Sequence, residues 1–132
     1  MKAAIIGATG MIGARLVTRL VADGLVTGLT LVDVVDAVPP ADLDEVEIIA
    51  TDIAAPGAAE AIIASRPDVI FHLAAIVSGE AEADFDKGYR INMDGTRALL
   101  EAVRAQPDYC PRFVFASSIA VFGAPLPSMI ED

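Results

Sequence analysis

Near its amino end the chain reads "KAAIIGATGMIGARLV", with Gly7, Gly10 and Gly13 set three residues apart where an apolar run gives way to a helix-like pattern. Such spacing serves the binding of an anion. The first turn of a helix leaves backbone N–H groups unpaired and carries a partial positive charge, and a phosphate reaches them only where no side chain obstructs it. Gly7 then permits the tight turn, Gly10 lets a pyrophosphate approach the backbone, and Gly13 lets the helix lie close to the sheet. Met11 and Ile12, inside the same turn, are counted with them as cofactor-binding. Thr9 stands where the G-x-G-x-x-G fingerprint has its second glycine, so the competing reading is a glycine-rich turn of some other α/β domain.

A carboxylate supplies the context. Asp33 follows a second apolar run about 20 residues after Gly13, the position from which an acidic side chain accepts hydrogen bonds from an adenosine ribose. A 2'-phosphate there would meet a like charge, at a cost of up to about 4 kcal/mol for an effective dielectric near 20. The expected cofactor is therefore NAD rather than NADP. Asp36 is a competing candidate, and a solvated strand-end carboxylate is the plain alternative.

The elements that must position these residues alternate in type. Strands are expected at residues 3–6, 29–35, 46–53, 68–75 and 112–118. Helices are expected at 11–22, from Pro56 to about Ser65, and from about 81 to 105, where Phe85, Tyr89, Met93, Leu100 and Val103 keep a helical spacing. No hairpin dipeptide joins the strands, which implies βαβ crossovers and a parallel sheet. The expected fold is α/β, a Rossmann-type doubly wound sheet of about five strands in the order 3-2-1-4-5, formed by one domain over residues 1–132.

The bulk properties agree. Hydrophobic residues make up 55% of the chain but aromatics only 5%, so the core is built from Val, Ile, Leu and Ala, the filling of a sheet covered on both faces. A net charge of -10, with single, scattered basic residues, argues against nucleic-acid and anionic-membrane partners. Cys110 has no second thiol to pair with, so no disulfide or cysteine-based metal site is expected within the chain, and a reducing cytoplasm fits. No apolar stretch reads as a membrane span.

Five motifs in order, "GATGMIG", Asp52-Ile53, "HLAA" at residues 72–75, "NMDGT" at 92–96 and "SSIAVFG" at 117–123, resemble the extended short-chain dehydrogenase/reductase family, the NAD-dependent epimerases and dehydratases. The resemblance implies that Asp52 accepts from the adenine amino group while the Ile53 backbone reads the ring edge; the alternative for Asp52 is a turn-forming residue. It also implies that Leu73, Ala74 and Ala75 line the cofactor, and that Asn92 organises the active-site backbone, its amide buried on the helix face of Phe85 and Tyr89. Ser118 is implied to hydrogen-bond the reacting hydroxyl, with Ser117 its nearest rival. Ser78, after strand four, touches substrate or simply turns the chain. His72 reads as a hydrogen-bonded structural residue rather than a base.

By the same resemblance the activity is NAD-dependent oxidation of the C2 hydroxyl of a small sugar acid, with a homodimer as the assembly. Nucleotide-sugar epimerisation or dehydration, and a non-catalytic dinucleotide sensor, are the alternatives. The family's base is a Tyr with a Lys four residues later. Here Tyr89 and Tyr109 are followed at that distance by Met93 and Phe113. The pair is expected beyond Asp132, together with the substrate-binding part of a longer enzyme.

Overall fold

The structure, a computed structural model, describes residues 1–123 with Pro125 and Met129, apart from the side chains of Ser78, Ile119 and Ala120. Five parallel strands, β1 (Lys2–Ile6), β2 (Gly28–Asp33), β3 (Val46–Ala50), β4 (Val69–His72) and β5 (Arg112–Phe115), form one sheet in the order β3-β2-β1-β4-β5. This is the expected doubly wound arrangement. β1 has β2 on one side and β4 on the other, so the chain leaves β1 where the strand order reverses.

Alternation along the strands divides the interior into two layers. Ala3, Ile5, Leu29 and Leu31 pack with Val17 and Leu20 of α1 (Met11–Ala22). Ala4, Ile6, Val32 and Ile70 pack on the opposite face with Ile62 of α2 (Ala58–Ile63) and Leu99 of α5 (Thr96–Arg104). The buried hydroxyl of Thr30 is satisfied by the Ser65 hydroxyl at 2.9 Å.

Several elements are shorter than the apolar runs that announced them. β2 stops at Asp33, whose Oδ1 accepts the Val34 N–H at 2.8 Å. β3 stops at Ala50 because Asp52 opens a turn, its Oδ1 accepting from Ala54 N–H at 2.9 Å. β4 ends at His72, before Leu73 and the two alanines, and β5 ends at Phe115, before Ala116 and Ser117. α2 begins at Ala58 behind Gly57, whose φ of 81° places it outside the helix, so Pro56 belongs to the preceding turn.

The long helix expected at 81–105 is a broken path. α3 (Ser78–Ala83) ends at Asp84, extended at φ -137° and ψ 85°, whose carboxylate then caps α4 (Phe85–Tyr89) by accepting from Lys87 N–H. A π-helical turn, Arg90–Gly95, joins α4 to α5. The expected apolar face is consequently not the buried one. Of its residues Phe85, Tyr89, Met93 and Leu100 are exposed and only Val103 packs against the core, beside the buried Leu99 and Ala102, while the buried Gly88 and Gly95 lie against Ala81 and Ile53. Small residues allow this close approach: a Cβ on Gly95 would lie 2.8 Å from Ile53 Cγ2.

Candidate functional site

The glycine loop meets the end of β4 almost without clearance. Gly7 has φ 89°, and a Cβ there would lie 2.8 Å from Ala74 N. A Cβ on Gly13 would stand 2.1 Å from the Gly7 carbonyl oxygen, so any side chain would push α1 off the loop. Gly10 is the extended N-cap of α1, with no side chain capping the helix. The first-turn N–H groups therefore point out of an uncovered helix end. Met11 and Ile12 contribute those N–H groups, while their side chains are 73% and 59% exposed and stand outside the crevice.

A cavity of about 250 Å³ opens at the carboxyl ends of β1, β2 and β4. Gly7, Gly10 and Asp33 form one part of its wall, and Asp52, Ile53, Leu73, Ala74 and Ala75 another. Asp33 is anchored before any ligand arrives: Oδ2 accepts from Thr9 N–H at 2.9 Å and from the Thr9 hydroxyl at 2.7 Å. Asp36 lies apart, in a groove between α1 and residues 35–40. The sequence marked Thr9 only as a missing glycine; its hydroxyl is the signal that was available.

Both Asp52 oxygens have partners, Ala54 N–H on Oδ1 and the Arg90 guanidinium 2.8 Å from Oδ2. Burial opposes its ionisation, but the Ala54 N–H and the neighbouring guanidinium outweigh that and hold the carboxyl below the usual range. Asp52 does form a turn, and it also lines the cavity. Arg90, from the π-helical turn, was not singled out by the sequence.

A second cavity, about 580 Å³, shares the wall formed by residues 73–76 and is lined on its far side by Asn92, Thr96, Ser117 and Ser118. Asn92 corrects an expectation, because its side chain is exposed to this cavity rather than buried in a helix face. It finds its partners in the backbone: Oδ1 accepts from Ile76 N–H at 2.8 Å, and Nδ2 donates to the Ile76 carbonyl at 2.9 Å. It shares a groove with the likewise exposed Phe85 and Tyr89. Ser118 lines this cavity beside Ser117. Ser78 begins α3, and its side chain lies outside the described residues. Among the described residues, no group of His, Cys, Asp and Glu has the geometry to hold a metal ion, and no helix is long and apolar enough to cross a membrane.

Glycine loop, acidic strand end and reversed strand order together define a Rossmann-type nucleotide-binding unit. The profile of the NAD dependent epimerase/dehydratase family matches residues 3–132. The chain belongs to that family. It is 38% identical to D-erythronate dehydrogenase of Cupriavidus necator over 100% of this chain and 43% of that protein. It therefore spans less than half the length of this curated relative. Among solved structures, the nucleoside-diphosphate-sugar epimerase from Agrobacterium tumefaciens superposes with a TM-score of 0.91 at 59% identity, covering 96% of this chain and 40% of that one. A variant of uronate dehydrogenase from the same organism, complexed with NAD, gives a TM-score of 0.72 at 32% identity over 89% of this chain and 40% of that one.

Proposed function

We propose that this chain is the cofactor-binding part of an NAD-dependent dehydrogenase that oxidises the C2 hydroxyl of a four-carbon sugar acid, D-erythronate, to the corresponding keto acid. The observation that carries the reading is the shared wall at residues 73–76, which sets the glycine loop and Asp33 on one side and Ser118 on the other. A dinucleotide laid across the carboxyl ends of the strands would touch both. The N–H groups after Gly10 would hold its diphosphate, and Asp33 would accept from its adenosine ribose. Asp52 and Ile53 flank the adenine, and Ala74 and Ala75 leave room for the rest.

The fit is steric as well as electrostatic. Side chains at positions 7 and 13 would collide with Ala74 and Gly7, and no side chain among the described residues caps the donors at the start of α1. When bound, NAD supplies the hydride acceptor at nicotinamide C4. Ser118 contributes a hydroxyl that can both donate to a carbonyl and accept from an alcohol, which suits interconversion of the two. The general base would be a Tyr-x-x-x-Lys pair outside these 132 residues, and the substrate-binding part would lie there too. Homodimerisation of the full-length protein through the 78–104 stretch belongs to the same proposal and is supported by the exposed Phe85, Tyr89 and Met93. A cytoplasmic location accords with the single cysteine.

The test is reduction of NAD by the full-length protein on D-erythronate and related tetronates. NADH formation with D-erythronate is expected; inactivity on every sugar acid overturns the substrate. The second reading, a nucleotide-sugar epimerase, is favoured by the 59% identity to the Agrobacterium structure that bears that name. Epimerisation of a nucleoside-diphosphate hexose without net NADH release would select it.

A further inference from the structure

His72, the single histidine, is 1% exposed, and its Nδ1 is a buried polar atom with no partner among the described residues. Its Nε2 lies 2.9 Å from Thr96 Oγ1, and that oxygen lies 2.8 Å from the Asn92 carbonyl oxygen. A hydroxyl has one proton and a carbonyl has none. The Thr96 proton is therefore used on Asn92, and the histidine contact must use a proton of the imidazole. This fixes the neutral tautomer with its proton on Nε2 and leaves Nδ1 a bare acceptor. Burial holds the His72 pKa below its ordinary value, in accord with a neutral ring. The edge-on rings of Phe113 and Phe115, with centroids 6.1 and 5.4 Å away, pack the imidazole in place.

The carbonyl reached through Thr96 belongs to the π-helical turn, and the same Asn92 grips Ile76 with both ends of its side-chain amide. Ile76 is only four residues beyond His72. The bonds close a ring from His72 through Thr96 and Asn92 to Ile76 and back along the chain. Asn92 is held by its main chain on one side and by its side chain on the other. Ile76 lies in the wall common to the two cavities, and Thr96 and Asn92 line the one that holds Ser118.

We propose that His72 is a positioning residue: through the Thr96 hydroxyl it fixes Asn92, and through Asn92 the Ile76 backbone that separates the cofactor cavity from the Ser118 cavity. The effect on turnover rests on the dinucleotide-binding reading above; the ring itself does not. A histidine that merely filled core space would need no hydroxyl at position 96 and would leave Ile76 indifferent to it.

The experiment uses the full-length protein and the variants Thr96→Val, Thr96→Ser and His72→Phe. Thr96→Val and His72→Phe should each lower kcat about tenfold while the KM for NAD stays within about twofold, and Thr96→Ser should restore the parent rate. The double variant should be no slower than the worse single one, because both break the same ring. Two readouts are independent of activity. Nitrogen NMR of His72, assigned by its loss in His72→Phe, should show the Nε2-protonated tautomer, and hydrogen exchange at Ile76 N–H should quicken about tenfold in Thr96→Val and recover in Thr96→Ser. The opposite tautomer, Ile76 exchange unchanged by Thr96→Val, or a lower melting temperature with unchanged kcat overturns the proposal. A parent protein that binds no NAD overturns the function proposed above instead, and the tautomer and exchange readouts still decide the ring.

Discussion

Three hydrogen bonds already engage the Asp33 carboxylate: the N–H and hydroxyl of Thr9 on Oδ2 and the Val34 N–H on Oδ1. An ionised carboxylate offers about four acceptor positions, so room remains for a ribose hydroxyl on an oxygen whose direction is fixed in advance. A hydrogen bond to a charged group contributes about 1.5 to 3 kcal/mol. Asp33→Asn should accordingly weaken NAD binding about 10- to 150-fold by calorimetry and narrow the gap to NADP. Unchanged affinity would make Asp33 a cap for Thr9 and Val34 and nothing more. Its candidacy was legible in the sequence because its distance from the glycines follows from strand and helix lengths. Its bond to Thr9 was not, since the sequence does not show that two residues 24 apart come within 3 Å.

At the scale of elements, the π-helical turn carries most of what periodicity misread. Large apolar residues at helical spacing suggested one buried face, yet of these only Val103 packs on the core, beside Leu99 and Ala102, while Gly95 approaches Ile53 and Gly88 approaches Ala81 of α3. Glycines and alanines give little hydrophobic signal, and a wider turn rotates everything after it. The Arg90–Asp52 pair ties this turn to the end of β3. Because Asp52 titrates below its ordinary value of 3.8, the pair contributes stability that is complete above that value and is lost as the pH falls through the lower folded value. Both side chains are partly exposed, so Arg90→Gln should cost about 0.5 to 1 kcal/mol at pH 7, and the difference from the parent should vanish in strongly acid solution. Denaturant melts at two pH values measure it; a cost that persists in acid would trace to packing of the Arg90 stem instead.

For the whole molecule, the crevice at the glycine loop and the doubly wound core are one construction. The loop that forms the crevice also seats α1 on the sheet through Gly13, so a ligand that bridges the loop, Asp33 and Ala74 should stabilise the entire fold. NAD at a hundredfold excess over its dissociation constant should add about 2.7 kcal/mol to the stability of the full-length protein. The same concentration of NADP should raise the melting temperature less. Equal shifts from the two dinucleotides would remove the role given to Asp33.

The alternation of strands and helices, the glycine loop and the acidic strand end were legible in the sequence alone, because they depend on local patterns: an apolar run, a turn that tolerates no Cβ, and a fixed count of residues to the next strand. The His72–Thr96–Asn92–Ile76 ring, the Asp33 anchor on Thr9 and the outward face of Phe85 and Tyr89 were decided only by the tertiary structure. Each requires two segments distant along the chain to meet at hydrogen-bonding or van der Waals distance, and that meeting is fixed by how the helices settle on the sheet, which no local pattern of residue types encodes.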